Sequence, residues 1–273
     1  MDWALIDTTG KELTRFQTDG INALLASSSV LESLLSKVKA QLGDCPAIDR
    51  LYYYGAGCAT PGICHKVEEP LQRIIGARNV EATTDLLGAA RSLLGRNKGI
   101  ACILGTGSNS CLYDGDRIAD NVPSLGFILG DEGSGASLGK RLVSDAFKGH
   151  LPENVKKKFL AEYGLDLHTI LDKTYRSPAP NRFLASLVPF LSANLWNPYV
   201  YSLVLKEFES FLERNVSRYQ GAHTLPIAFT GSLAFHFAPV LREAAANKDF
   251  KIGTITASPL DGLIEYHSNP DNI

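Results

Sequence analysis

Short apolar runs alternate with amphipathic stretches along the whole chain. The runs rich in β-forming residues predict strands at 3–7, 13–16, 51–54, 80–83, 99–104, 111–113, 227–230 and 252–256. Apolar residues at helical spacing predict helices at about 22–41, 68–75, 86–94, 136–147, 233–246 and 260–267, and 152–216 is predicted to be mostly helical. Because strands and helices alternate in both halves, the sequence predicts an α/β fold with two similar lobes.

A glycine-rich turn joins two of these strands, since Gly105-Thr106-Gly107-Ser108-Asn109 directly follows the run 99–104. Glycine permits positive φ and lets an anion come close, and successive N–H groups in such a turn form a concave anion-binding surface. The turn therefore predicts a phosphate site, with an ordinary tight hairpin as the alternative. The dinucleotide fingerprint does not fit, because it would need a glycine at Ser110 and a helix after it.

Asp85 stands where a predicted strand passes into a helix. An aspartate there can cap the helix by accepting hydrogen bonds from its first N–H groups. It can also act as a general base, because ligands of open α/β sheets bind at the carboxyl ends of strands. A carboxylate at that edge would accept the proton of a hydroxyl that attacks phosphorus. Position alone leaves both interpretations open.

Asp131 and Glu132 lie in the glycine-rich loop 130–135, directly before a predicted helix. Helix capping is one interpretation of this pair. Sugar binding is the other, because carboxylates are strong acceptors for hydroxyl groups and the flanking glycines permit close approach.

Two further junctions carry residues of interest. Asn22 follows Gly20 at a predicted helix start, where asparagine is by default a capping residue. Gly231 and Ser232 lie where a strand enters a helix, and backbone N–H groups at such a place can face a phosphate or a nucleotide.

The composition restricts the class of protein. The chain has 273 residues, of which 45% are apolar, as in globular proteins with a real core. Its net charge of −2 gives no electrostatic case for nucleic acid or an acidic membrane surface. Five cysteines, an odd number, favour a reduced cytoplasmic protein, and no second pair joins Cys58 and Cys64 in a zinc set. No apolar run has the length of a membrane span, and no secretory signal is visible.

Taken in order, several short motifs resemble one family. They are Asp2-Trp3-Ala4-Leu5-Ile6-Asp7, Gly20-Ile21-Asn22, Tyr54-Gly55-Ala56-Gly57, Thr84-Asp85-Leu86-Leu87-Gly88-Ala89-Ala90-Arg91, Gly105-Thr106-Gly107-Ser108-Asn109, Gly130-Asp131-Glu132-Gly133-Ser134-Gly135 and Gly231-Ser232. The chain resembles the N-acetylglucosamine kinase-like branch of the BadF/BadG/BcrA/BcrD ATPases, within the actin/hexokinase/Hsp70 superfamily. Each motif is weak by itself, but the ordered set spans almost the whole chain.

The resemblance implies two ribonuclease-H-like lobes, of the actin/hexokinase type, that close over ATP and a sugar. It implies phosphoryl transfer from ATP with Mg²⁺ to an amino sugar, N-acetylglucosamine above all, with Asp85 as the catalytic base. The residues that it assigns to the sugar are Asn22, Asp85, Ser108, Asn109 and Asp131, and those that it assigns to the nucleotide are Gly105, Thr106, Gly107, Gly231 and Ser232. We expect one lobe at 1–97 with a C-terminal helix at 258–273, and the other at 98–257. The expected partner is a small sugar, and a homodimer is compatible with the sequence.

The chain departs from the family pattern in two places. In the family, a strand and loop with the pattern Asp-x-Gly-x-Thr-x-Thr come directly before the Asp-Trp pair, whereas here Met1 precedes Asp2. That loop grips the phosphates in the family, and its strand is central, so its absence predicts an open sheet with exposed pairing groups. We expect either a start further upstream or a kinase-derived protein with impaired catalysis. Leu125 lies where relatives can carry a sugar-stacking tryptophan, which makes the acetamido preference less secure.

Two other functions compete with the kinase. The dehydratase- or reductase-activating branch of the same superfamily hydrolyses ATP and holds an iron–sulfur cluster between subunits, which requires ligating cysteines. Cys58 and Cys64 are the only close pair, and their spacing matches no cluster pattern. A sugar sensor, or a catalytically impaired sugar-binding relative, is the non-enzymatic alternative.

Overall fold

The computed structural model describes residues 1–269 of the chain. The strands in chain order are β1 (Asp2–Ile6), β2 (Glu12–Gln17), β3 (Arg50–Gly55), β4 (Asn79–Thr84), β5 (Gly99–Leu104), β6 (Ser108–Tyr113), β7 (Ile118–Asp120), β8 (Ile227–Thr230) and β9 (Ile252–Thr256). The helices are α1 (Ser28–Leu42), α2 (Pro61–Pro70), α3 (Asp85–Leu94), α4 (Gly126–Leu129), α5 (Gly135–Phe147), α6 (Glu153–Tyr163), α7 (Leu167–Tyr175), α8 (Pro180–Ala185), α9 (Val188–Ala193), α10 (Pro198–Arg214), α11 (Ser232–His236), α12 (Ala238–Ala246) and α13 (Leu260–Ser268). A π-helical turn, Leu71–Ile75, extends α2, and a 3₁₀ turn, Val216–Arg218, follows α10.

The chain forms two compact units. Unit 1 comprises Met1–Gly95 together with the C-terminal residues from Pro259 onward, and unit 2 comprises Arg96–Ser258. The helix predicted at 258–273 is observed as α13, and residues 270–273 lie outside the described residues.

Unit 1 is built on an interrupted sheet. Strands β1 and β2 pair antiparallel, β3 and β4 pair parallel, and within residues 1–269 no hydrogen-bonded ladder joins the two pairs. Both pairs cover the same core, because the rings of Trp3 on β1 and Tyr53 on β3 lie 6.4 Å apart. Buried side chains of α1, such as Leu35, and Leu71 of the π-helical turn complete that core. The shared core, and not a ladder of hydrogen bonds, therefore connects the two strand pairs.

Unit 2 contains a five-stranded sheet in the order β7-β6-β5-β8-β9. Strands β5, β8 and β9 are parallel, with Ile103 opposite Thr230 and Thr230 opposite Thr256. A large aromatic core covers the sheet, and its fully buried rings include Phe159, Phe190, Phe208, Phe211 and Phe229. Because parallel strands end at one edge, the loops after β5, β8 and β9 lie together there.

All the predicted strands are present, but the first helix starts later than predicted. The prediction placed it at 22–41, whereas α1 begins at Ser28 and Ser27 caps it by accepting a hydrogen bond from Val30 N–H. Asn22 accepts the N–H of Leu24 at 3.0 Å, a local turn that competes with the helix. Leu24 is exposed, so it does not belong to the buried stripe of α1 that suggested an earlier start.

Proline positions explain the other boundary errors. The helix predicted at 68–75, with Pro70 in its first turn, instead begins at Pro61, whose fixed φ suits a first helical position. Pro70 is the last residue of α2, and the π-helical turn takes up the chain after it. The single helix predicted at 233–246 is two helices, because Pro239 near the start of α12 has no N–H to continue α11. No helix among the described residues is long and apolar enough to cross a bilayer.

Candidate active site

The turn between β5 and β6 presents unpaired N–H groups. The carbonyl oxygen of Gly105 accepts a hydrogen bond from Gly135 N–H at 2.8 Å, and that of Thr106 accepts one from Ala136 N–H at 3.0 Å. In a trans peptide the N–H points opposite to the carbonyl oxygen, so the N–H groups of Thr106 and Gly107 point away from α5. Neither donates a hydrogen bond within residues 1–269. Two donors aimed in one direction form an anion-binding surface.

The glycines of this turn are needed for space and not for φ. Neither Gly105 nor Gly107 has a positive φ, so that part of the sequence interpretation is wrong. A Cβ at Gly107 would lie 3.0 Å from Oδ2 of Asp131, whereas a Cβ at Gly105 would meet no atom within 4 Å. Gly107 therefore makes room for the Asp131 carboxylate, and Gly105 leaves open space on the surface of the turn.

Asp131 is a buried carboxylate held against this turn. Its Oδ1 accepts the N–H of Ser108 at 3.3 Å, while burial raises the pKa of the carboxyl group and that hydrogen bond lowers it. Its backbone has a φ of 56°, a strained value for aspartate, and bonds to Ser124 and Ser134 hold it there. Ser134 is the residue that caps α5, through its hydroxyl. The capping interpretation of Asp131 is therefore wrong.

Glu132, the neighbour of Asp131, has a structural role. Its carboxylate lies 2.6 Å from the guanidinium of Arg214 and accepts a hydrogen bond from Asn215 at 3.4 Å. These contacts fix the loop to the end of α10. The two adjacent acidic residues thus do different things, and Asp131 is the one that points to the β5–β6 turn.

Asn109 is oriented by Asn121, a residue that no sequence motif singled out. Its Oδ1 accepts hydrogen bonds from the N–H of Ser110 and from Nδ2 of Asn121, at 3.0 and 3.1 Å. Within residues 1–269 its own Nδ2 has no hydrogen bond and is available as a donor. The contact with Asn121 joins positions on the two sides of the β6–β7 hairpin, and no motif signals it.

Gly231 lies at the end of β8, against the end of β5. It has a φ of 119°, and a Cβ there would clash with the carbonyl oxygen of Leu104, so only glycine fits. Its N–H donates to Thr256 at the end of β9. Gly231 and Ser232 therefore share one sheet edge with the Gly105–Gly107 turn.

Asp85 lies at the carboxyl end of β4 and is the first residue of α3. Thr84 is the cap of this helix, because its hydroxyl accepts the N–H of Leu86 at 3.2 Å. The same hydroxyl donates to Oδ1 of Asp85 at 3.2 Å. Burial raises the pKa of Asp85, and the Thr84 hydrogen bond lowers it. A carboxylate with a raised pKa at a strand end is typical of a general base.

Asn22 is fixed against the turn that follows β3. A Cβ at Gly57 would clash with Oδ1 of Asn22, and the N–H of Ala23 donates to Ala56 at 2.8 Å. Gly55 at the end of β3 is opposite Thr84, so the 55–57 turn lies beside the start of α3. Asn22 and Asp85 therefore lie at the same edge of unit 1, although Asn22 does not cap a helix as the sequence suggested.

The fold has a close counterpart among solved structures. A protein from Porphyromonas gingivalis, named a putative N-acetylglucosamine kinase, is 45% identical in sequence to this chain. The likeness covers 99% of this chain and 95% of that one, with a TM-score of 0.92. The chain belongs to the N-acetylglucosamine kinase-like family.

More distant structures share the architecture of this N-acetylglucosamine kinase-like chain. A second putative N-acetylglucosamine kinase, from Chromobacterium violaceum, is 20% identical with a TM-score of 0.71, over 90% of this chain and 87% of that one. The ethanolamine utilization protein EutJ from Carboxydothermus hydrogenoformans is 13% identical with a TM-score of 0.52, over 98% and 84%. At these identities the likeness shows the fold alone, and the predicted actin/hexokinase-type α/β fold is confirmed. Neither the protein-family models nor the curated proteins gave a match.

The predicted site residues of the N-acetylglucosamine kinase-like chain form two groups. Asn22 and Asp85 belong to unit 1. Ser108, Asn109 and Asp131 belong to unit 2, together with the nucleotide-assigned residues Gly105, Thr106, Gly107, Gly231 and Ser232. The sequence analysis did not assign a role to Thr84, whose hydroxyl donates a hydrogen bond to the Asp85 carboxylate. The available signal was its position, because a hydroxyl residue directly before a helix start is typical of a cap.

The donor set of this N-acetylglucosamine kinase-like chain fits a phosphate better than a bare metal ion. The unpaired N–H groups of Thr106 and Gly107 suit phosphate oxygens. Among residues 1–269, no group of three or more His, Cys, Asp or Glu side chains is placed to hold a metal.

Proposed function

We propose that this protein transfers the terminal phosphoryl group of ATP to a hydroxyl of an amino sugar, with N-acetylglucosamine as the substrate. The observation that carries the proposal lies within unit 2. There the unpaired N–H donors of Thr106 and Gly107 adjoin the buried carboxylate of Asp131. A phosphate and a polyhydroxylated ligand would each find complementary groups at one turn. The sugar is the one in the name of the relative that is 45% identical.

Asp85 is proposed to be the general base. The attacking hydroxyl oxygen forms a bond to phosphorus, the bond from phosphorus to ADP breaks, and the Asp85 carboxylate takes the hydroxyl proton. Its raised pKa makes it a better proton acceptor than an ordinary aspartate. The Thr84 hydroxyl donates to Oδ1 and so orients the carboxylate.

The remaining residues are proposed to bind and orient. Asp131 would accept a sugar hydroxyl through Oδ2, because its Oδ1 already accepts the N–H of Ser108. Asn109 would donate through Nδ2, and Asn22 is a further proposed sugar-binding residue. The turn at Gly105, Thr106 and Gly107 would bind phosphate oxygens through N–H groups. Magnesium bound to ATP would neutralise phosphate charge.

A substrate panel tests the proposal. We expect ADP release from ATP to depend on added N-acetylglucosamine, and to be weaker with N-acetylmannosamine, N-acetylgalactosamine, glucosamine or glucose. Phosphorus NMR of the product would identify the hydroxyl that is phosphorylated. If no sugar stimulates ADP release, the kinase proposal fails, and calorimetry tests the alternative function. Sugar binding without ATP binding would support a sugar sensor.

Asp131→Asn supplies a site-specific check. It should weaken sugar binding by roughly 10-fold or more, because a charge-assisted hydrogen bond is replaced by a neutral one. Asp172→Asn is the matched control, since Asp172 is an exposed residue of unit 2 that pairs with Arg176 one helical turn away. Equal sugar affinity in both variants would contradict the role given to Asp131.

A further inference from the structure

Two cysteine side chains meet in unit 1, outside the groups assigned to catalysis. Cys58 is buried in the turn after β3, and Cys64 lies partly exposed in α2. The Cys64 thiol donates to the carbonyl oxygen of Cys58, with Sγ 3.6 Å from the oxygen. The Cys64 sulfur therefore lies against the backbone of Cys58.

The chain between them is folded into a tight loop. The N–H of Cys64 donates to Thr60 at 3.0 Å, and the N–H of Cys58 donates to Gly55 at 3.2 Å. Pro61 fixes the start of α2 between the two cysteines. A disulfide needs Cα atoms about 4.4–6.8 Å apart. The Cys64 sulfur lies 3.6 Å from the backbone oxygen of Cys58, so the two residues are neighbours in space, and a disulfide would draw the loop between them together.

We propose that Cys58 and Cys64 form a modification site, which hydrogen peroxide converts to a disulfide. The Cys64 thiolate attacks one peroxide oxygen, so that an S–O bond forms, the O–O bond breaks, and the first water leaves after proton uptake. The sulfur of Cys58 then attacks the resulting sulfenic acid. The S–S bond forms, the S–O bond breaks, and hydroxide leaves as the second water with the Cys58 proton. The two thiols together lose two electrons, and the peroxide gains them.

The surroundings of the two cysteines determine which sulfur reacts with the peroxide first. Burial above all, and then the nearby Cys64, Asp85 and Glu68 groups, raise the pKa of Cys58 to about 12. Cys58 is therefore a neutral thiol that solvent does not reach. Cys64 is the exposed partner that a peroxide meets first. Cys102 and Cys111 are fully buried in the sheet of unit 2, which protects them from the same reagent.

The pair is connected to residues that we assign to the sugar. The turn that carries Cys58 also carries Gly57, which lies against Asn22, and Ala56, which accepts the N–H of Ala23. Drawing Cys58 toward α2 therefore moves the support of Asn22. This consequence rests on the proposed function, whereas formation of the disulfide does not.

The test is a thiol count before and after treatment with hydrogen peroxide. In the wild type we expect the thiols titrated after denaturation to fall from five to three. Peptide mapping should show a link between Cys58 and Cys64 with a mass loss of about 2 Da, reversed by dithiothreitol. Cys64→Ser should keep all four of its thiols under the same exposure. Cys45→Ser is the matched control, with a partly exposed cysteine replaced elsewhere in unit 1, and should still lose two.

Several results would overturn the proposal. They are an unchanged thiol count in the wild type, a link between other cysteines or between two chains, or the loss of two thiols in Cys64→Ser. Cys58→Ser gives a second check, because its Cys64 sulfenic acid should persist and be trapped by dimedone. If Cys64 does not form a trappable sulfenic acid, the assigned order is wrong.

A kinetic arm separates the modification from the kinase proposal. Oxidised wild-type protein should show a roughly tenfold higher KM for the sugar, restored by dithiothreitol, because small misplacements of a binding group reduce productive binding. A disulfide with unchanged KM contradicts the connection to Asn22 and leaves the modification site supported. If no sugar is turned over at all, the proposed function fails, while the thiol count still decides the modification.

Discussion

The carboxylate of Asp131 lies directly against the Cα of Gly107, so that a Cβ at position 107 would be 3.0 Å from Oδ2. The N–H of the next residue, Ser108, donates to the other carboxylate oxygen. One buried carboxylate thus depends on the turn that exposes the N–H groups. The proposed sugar and phosphate contacts are linked through this pair of residues.

Gly107→Ala should therefore weaken sugar binding. The added methyl group forces the Asp131 carboxylate to move by a few tenths of an ångström, and we expect the KM for the sugar to rise by roughly 10-fold. Gly105→Ala is the informative comparison, because a Cβ there meets no protein atom. It should raise the KM for ATP and leave the melting temperature unchanged. If both variants change only the KM for ATP, Asp131 does not contact the sugar.

Asp85→Asn should reduce kcat by roughly 100-fold or more, because an amide cannot accept the hydroxyl proton. The KM for the sugar should change much less, since the side chain keeps its size and its contact with Thr84. Asp49→Asn is the matched control in unit 1, where the exposed Asp49 pairs with Arg78. Unchanged turnover in Asp85→Asn would leave this residue with a structural role only.

Thr84 should set the acid limb of the pH–rate profile. Its hydroxyl stabilises the charged form of Asp85 and so lowers the pKa of that carboxyl group. Thr84→Ala removes the bond, the pKa of Asp85 rises, and the fall in rate on acidification should begin at a higher pH. Thr84→Ser keeps the hydroxyl and should keep the wild-type profile. An identical acid limb in all three proteins would mean that Asp85 is not the group that titrates.

His267 should make unit 1 sensitive to acid. Its Nε2 accepts the Tyr54 hydroxyl at 2.7 Å, and Arg91 in turn donates to Tyr54 at 2.8 Å, so the imidazole is held neutral. Burial, followed by the charge of Arg91, lowers the pKa of His267 to about 4, although Glu81 opposes this. The unfolded histidine has a pKa of about 6.5. As the pH falls from 6.5 toward 4, this residue therefore binds a proton in the unfolded chain but stays neutral in the folded protein.

Folding stability should therefore be nearly complete at pH 7 and fall as the pH drops below 6.5, by about 1 kcal/mol at pH 5 through this partly exposed residue. His267→Gln can still accept the Tyr54 hydroxyl but does not titrate, so it should lose less stability between pH 7 and pH 5. Urea unfolding of both proteins at the two pH values measures the difference. Equal losses would show that folded His267 binds its proton over the same pH range as the unfolded histidine, which NMR titration of its imidazole would reveal directly.

The sequence predicted the strands well because each carries a short run of β-formers closed by a turn. Helix starts were harder, since an apolar residue such as Leu24 fits a helical stripe even when it is exposed in a turn. The choice between Asp85 and Thr84 as the cap depends on side-chain rotamers, which spacing does not determine. Both residues suit the position by type.

At the candidate site, the types of the site residues could be predicted from the sequence, but the contacts between them could not. Positive φ was the natural expectation for Gly105 and Gly107, yet the glycine at 107 is required by a carboxylate 24 positions further along the chain. The hydrogen bond from Asn121 to Asn109 could not be predicted from the sequence either, because it depends on the register of the β6–β7 hairpin. Such contacts follow from tertiary packing and not from local pattern.

Gly231 leaves the protein little freedom at one point. Its backbone fills the space beside the Leu104 carbonyl and adopts an angle open only to glycine. A larger residue at position 231 would therefore disturb the end of β5 whatever ligand the protein binds. Variation at this sheet edge has room only at the residues that follow, beginning with Ser232 at the start of α11.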